Sequence, residues 1–127
     1  MRRLLLDTEV LIWWDTNDRH LGRHARALIR DADDVYVSAA SAWEIAIKIA
    51  LGKLRTTRLP STVTADADFR TLPVTCEHAE ALLDLPAHHR DPFDRLLLAT
   101  AWVEGLTVVS SDRQLRLYDV PLIDARH

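Results

Sequence analysis

Three short apolar runs in this chain end at a carboxylate or lead to one. "RLLLDT" (Arg3 to Thr8) stops at Asp7, and "LTVVSSD" (Leu106 to Asp112) stops at Asp112. "VYVSAASAWE" (Val35 to Glu44) passes from a β-branched run to Glu44. Short runs rich in Leu and Val read as strands buried in a sheet. A buried acid costs free energy unless something pairs with it, so the recurrence asks for a single cause.

The strand-like runs "RLLL", "VYVS", "TLPV", "TVVS" and "VPLI" alternate with helical patterns. "TEVLIWWD" and "RHLGRHARALIRDA" follow the first run and "SAWEIAIKIALGKL" follows the second. "EHAEALLDL" and "DPFDRLLLATAWVEG" lie between the third and fourth, and "DRQLRLY" precedes the fifth. Such alternation predicts an α/β fold: a three-layer α/β/α domain with a five-stranded parallel sheet. Pro73 and Pro121 fall in the third and fifth runs. Proline removes a ladder donor, so those strands belong at the edges and the other three at the centre. The 127 residues suffice for one core, and three glycines and five prolines mark no linker, so residues 1–127 read as a single domain. "STVTADADFR" shows little helical periodicity.

In an open parallel sheet all strand C-termini lie at one end, where ligands bind. Asp7 and Asp112 sit at such ends. Glu44 and Asp94 lie near the starts of "SAWE" and "DPFD" helices, which begin where strands finish. All four acids are expected to meet at that edge. Capping supplies a second reading for most of them. "SAWE" is a capping box with Ser41 at the cap and Glu44 at N3. In "DPFD", Asp91 is an N-cap and Pro92 takes N1, and Asp91 counts as a cap before it counts as a site residue. Asp112 can cap "RQLRLY". Asp7 is hardest to explain as a cap alone. Four carboxylates together repel unless a cation sits between them, and clustered oxygens suit hard divalent ions, Mg²⁺ or Mn²⁺.

"LLLDT" with "VLIWW", "SAASAWEIAIKIALGKL", "HRDPFDRLLLATA", "LTVVSSD" and "VPLI" resemble, in order and over essentially the whole chain, the PIN-domain family. The likeness is narrower still to its VapC-type toxin ribonucleases of type II toxin–antitoxin pairs. It implies Mg²⁺-dependent hydrolysis of RNA and inhibition by a small antitoxin. It also implies an acidic quartet of Asp7, Glu44, Asp94 and Asp112, supported by the hydroxyls of Thr8 and Ser110. Asp7 and Asp94 are the primary candidate ligands, with Glu44 and Asp112 completing the set directly or through water. Glu9 departs from the family pattern and is read as facing solvent. Two rivals remain: a haloacid-dehalogenase-like phosphohydrolase using Asp7 as nucleophile, although Glu9 replaces the second Asp of its D-x-D motif, and a non-catalytic binding module whose acids only cap helices.

The net charge of −3 argues against general capture of nucleic acid and leaves room for a local basic face. Arg19, Arg23, Arg26 and Arg30 recur at helical spacing, with a solvated face as the plainer reading. Lys48, Lys53 and Arg55, with Arg58 beyond them, are the preferred RNA contacts because they follow Glu44. Trp13, Trp14, Trp43 and Trp102 read as packing or interface residues, Cys76 as a buried thiol, and His88 and His89 as loop residues. Isoleucines on nearly every side of "WEIAIKIALGKL" predict a second apolar contact, a homodimer or the antitoxin. One cysteine, an N-terminal run interrupted by Asp7 and Glu9, and no membrane-length apolar stretch predict a cytoplasmic protein.

Overall fold

The computed structural model describes residues 2–56, 58–88 and 91–127; His89 lies outside them. Five parallel strands form one sheet: β1 (Arg3–Leu6), β2 (Asp34–Ser38), β3 (Arg70–Leu72), β4 (Thr107–Ser110) and β5 (Leu122–Asp124), in the order β3-β2-β1-β4-β5. The helices are α1 (Thr8–Thr16), α2 (Arg23–Asp31), α3 (Ala39–Ala50), α4 (Pro60–Asp66), α5 (Cys76–Ala81) and α6 (Pro92–Glu104). Single 3₁₀ segments cover Leu82–Asp84 and Arg113–Leu117.

Strand geometry explains why the three leucines of β1 are consecutive. Successive side chains point to opposite faces. Leu4 and Leu6 join Val10, Trp13, Ala25, Ile29 and Ile45 in one core. Leu5 joins Leu97, Leu98, Ala101, Val108 and Leu115 in the other. Helices cover both faces, so β1 has no solvent side. Val108 and Val109 of β4 divide between the two cores in the same way.

β3 and β5 are the edges. Their prolines lie just outside the ladders, Pro73 after β3 and Pro121 before β5, so the edge strands are three residues long. Other local details differ from the sequence reading. α3 begins at Ala39, and Ser38 caps it by accepting from the Ala40 N–H at 3.1 Å. Ser41 is a buried residue inside the helix, and Glu44 lies in its second turn, outside any capping box. Residues 60–66 are helical despite weak periodicity: Pro60 starts α4, Val63 and Thr64 are buried, and the Thr64 hydroxyl donates to the Pro60 carbonyl at 2.7 Å. Cys76 is exposed at the first position of α5, because Thr75 is the cap and His78 is the residue turned inward.

Candidate active site

β1 is where the sheet reverses direction: the chain steps outward through β2 and β3 on one side, then through β4 and β5 on the other. Ligands in such sheets bind beyond the strand C-termini at that reversal. Asp7 is the first residue past β1. Its N–H still donates to the Val109 carbonyl at 3.1 Å, so its backbone is held by the sheet. Its side chain already belongs to α1, with Oδ1 accepting from the Val10 N–H at 2.8 Å. Leu6 is paired with Val109, which puts Ser110 one step on, beside Asp7. The Ser110 hydroxyl donates to Asp7 Oδ2 at 2.5 Å and accepts from the Asp112 N–H at 3.1 Å. One buried hydroxyl therefore ties two acids to adjacent strand ends.

Asp7 is 8% exposed. Burial pushes its carboxyl up to about 6, against the opposing pull of the Ser110 and Val10 hydrogen bonds, and Glu9 and Glu44 push it further the same way. Glu44 is thus close enough for its charge to be felt at Asp7. Glu44 and Asp94 line a narrow cleft, with room for about one water, together with Thr8, Ser41, Phe93 and Leu97. α6 brings Asp94 there because Asp91 caps the helix, accepting from the Phe93 and Asp94 N–H groups at 2.8 and 3.3 Å, with Pro92 at N1. Asp112 caps the 3₁₀ segment through the Gln114 N–H at 2.9 Å, so its capping role is real, and Ser110 links it to Asp7. Glu9 is exposed in the first turn of α1, facing solvent as read from the sequence.

The basic candidates separate. Lys48 Nζ lies 3.9 Å from Glu44 Oε2, one turn along α3. Lys53 and Arg55 are exposed beyond the end of α3, and Arg55 lines a different groove with Asp15, Thr16, Leu54 and Arg58. Arg58 is engaged with Asp15 and Asp66 at 3.0 and 2.9 Å. Of the four arginines, Arg23, Arg26 and Arg30 lie on α2 whereas Arg19 precedes it, and Arg26 lies over the Trp14 ring, 5.3 Å from its centroid. Trp13 is buried and Trp14 partly buried, as expected of packing residues, whereas Trp43 and Trp102 are exposed. The Trp43 ring meets Phe93 at 5.4 Å, at the lip of the cleft.

The donor set suits a hard divalent ion by chemistry, all carboxylate and hydroxyl oxygen. Among the described residues, no three His, Cys, Asp or Glu side chains are already grouped to hold a metal ion. Two carboxylates on one cleft, with a third near enough to repel one of them, make an open set. An ion that keeps several waters requires no more than that.

The PIN-domain family model matches residues 4–121. The chain belongs to the PIN-domain family. A curated relative of this PIN domain is Ribonuclease VapC22 of Mycobacterium tuberculosis, 33% identical over 129 residues and covering 95% of each chain. Among solved structures, FitAcB from Neisseria gonorrhoeae superposes with a TM-score of 0.73 at 23% identity, over 98% of this chain and 99% of that one. VapBC2 from Rickettsia felis, bound to a promoter DNA fragment, gives 0.70 at 11% identity, over 96% and 98%. At those identities the likeness is one of fold. Among the described residues of this PIN domain, no helix is long and apolar enough to cross a membrane.

Proposed function

We propose that this PIN domain is a metal-dependent endoribonuclease, the toxin of a type II toxin–antitoxin pair, acting in the cytoplasm. The ribonuclease relative at 33% identity supports the activity. The observation that carries the site is Asp7: a carboxylate fixed by strand, helix and serine, buried at an energetic cost, beside a cleft lined by two further acids.

Asp7, Glu44, Asp94 and Asp112 would hold a divalent ion, Mg²⁺ with Mn²⁺ as substitute, directly or through water. The chemistry that such an ion brings to a phosphodiester is charge relief on the phosphoryl group and easier ionisation of a water. The chain's own residues prepare the place for it. Ser110 fixes the direction of Asp7 and the turn that carries Asp112. Thr8, at the first position of α1, lines the cleft. Asp91 sets the pitch of α6 and so the position of Asp94. Lys48 supplies positive charge beside Glu44 and is the favoured phosphate contact; Lys53 and Arg55 lie beyond the end of α3, away from the cleft. A nucleophilic role for Asp7 lacks the second Asp of a D-x-D motif, since Glu9 stands there and is exposed to solvent.

The partners that follow are single-stranded RNA as substrate, a cognate antitoxin that places a basic side chain among the acids, and a second copy of the chain. For the copy, Ala46, Ala50 and Leu51 leave the outer side of α3 apolar and exposed. The deciding experiment is cleavage of RNA by the purified chain in EDTA and after adding Mg²⁺ or Mn²⁺. Cleavage absent in EDTA and restored by either ion is the expected result; cleavage indifferent to chelator would remove the metal from the mechanism.

A further inference from the structure

Trp43 immediately precedes Glu44 on α3, and Phe93 immediately precedes Asp94 on α6. Their rings meet with centroids 5.4 Å apart and planes at 57°. Phe93 also lines the cleft beside Glu44 and Asp94, whereas Trp43 is 63% exposed. The two acids and the two rings are therefore one constellation, with the acids inside and the indole outside. An indole left in water forgoes the apolar burial that stabilises Trp13 in the core. Its Phe93 contact holds it at an angle and leaves ring surface open to solvent.

Resting on the ribonuclease reading above, we propose that Trp43, braced by Phe93, is the surface on which a base of single-stranded RNA flanking the cleaved linkage stacks. Single-stranded RNA is recognised by splaying bases onto aromatic side chains, and each stack is worth on the order of 1–3 kcal/mol. A divalent ion held by Glu44 and Asp94 would draw a backbone phosphate to the mouth of the cleft, and Trp43 and Phe93, which precede those acids, would then stand near a neighbouring base. Trp43 lies at helical spacing from the exposed Ala46 and Ala50, so a second copy of the chain is the competing occupant; the adjoining acids favour RNA, and sedimentation separates the two. Stacking tolerates any base, so Trp43 sets grip and register more than sequence.

The test uses the full-length chain carrying Asp94→Asn, which silences cleavage, and a fluorescent single-stranded RNA. Trp43→Leu is expected to weaken binding by about tenfold and Trp43→Phe by much less. In a series of RNAs with one abasic site moved along the strand, one position should lose binding in the Trp43 protein and show no further loss with Trp43→Leu. In the otherwise wild-type enzyme, Trp43→Leu should raise KM far more than it lowers kcat. Equal binding by Trp43→Leu, or an abasic series with no such position, overturns the proposal. So does a Trp43→Leu chain whose weaker binding follows dissociation into monomers by sedimentation, because the indole is then an interface between copies. If the wild-type chain cleaves no RNA with Mg²⁺ or Mn²⁺, the ribonuclease reading itself has failed, and this assignment with it.

Discussion

Asp7 titrates in the opposite sense from most acids in folded proteins. Its carboxyl is raised by burial from 3.8 to about 6, so the folded chain holds that proton more tightly than the unfolded one. Stability from this group is full below about pH 4 and declines as pH rises through about 6, by about 3 kcal/mol in all. In EDTA, Asp7→Asn should therefore melt level with the wild type near pH 4 and above it at pH 7. It should also lose nearly all cleavage in Mg²⁺. Asn keeps the N-cap to Val10, so unfolding of this variant would make Asp7 structural, and intact cleavage would make it irrelevant. Ser110→Ala removes one hydroxyl that serves two acids. Cleavage should fall about 10- to 100-fold, with the loss seen in kcat. The residue scale is also where the sequence was least legible. "SAAS" offers two serines three apart, either of which can cap. The burial of Ala40 and Ser41 decides for Ser38, which no local signal reports. In "WEIAIKIA" apolar residues surround the helix, so the outward direction of Trp43 had no mark in the pattern.

The elements that carry the acids depend on their ends. Asp91→Asn should keep both melting temperature and cleavage, because Asn also accepts from Phe93 and Asp94 N–H groups. Asp91→Ala should cost about 1 kcal/mol and loosen the turn that holds Asp94. Calorimetry with cleavage assays on the pair separates the cap from a part in catalysis. Gly22, before α2, is tighter: a Cβ there would lie 2.1 Å from the His127 carbonyl carbon. Gly22→Ala should displace the C-terminal residues and lower stability by about 1–3 kcal/mol, read as faster amide exchange at His24. Elements were the most legible scale. Pro73 and Pro121 mark the two edges in the sequence itself, since a missing N–H is a property of the residue. α4 leaves no periodic signal because seven residues hold less than two full periods, and its helix is decided by burial of Val63 and Thr64.

For the whole molecule, the acidic edge is expected to couple ligand and fold. A divalent ion that binds only the folded chain at 100 times its Kd should add about 2.7 kcal/mol, and the gain should vanish in Asp7→Asn and Asp94→Asn. Sedimentation at rising concentration should find a dimer, and a cognate antitoxin should compete with the ion for the acids. A chain that stays monomeric and is unchanged by antitoxin would refute that assembly. The edges of the sheet limit how any such partner can hold on. Three residues and an adjoining proline leave β3 and β5 little unspent backbone to offer a visiting strand. Sheet extension, a common way for chains to join and to aggregate, is thereby blunted at both ends. What grips this protein must do so through its helices and the side chains between them, so its choice of companion is written in those side chains and can change without disturbing the sheet that carries the chemistry.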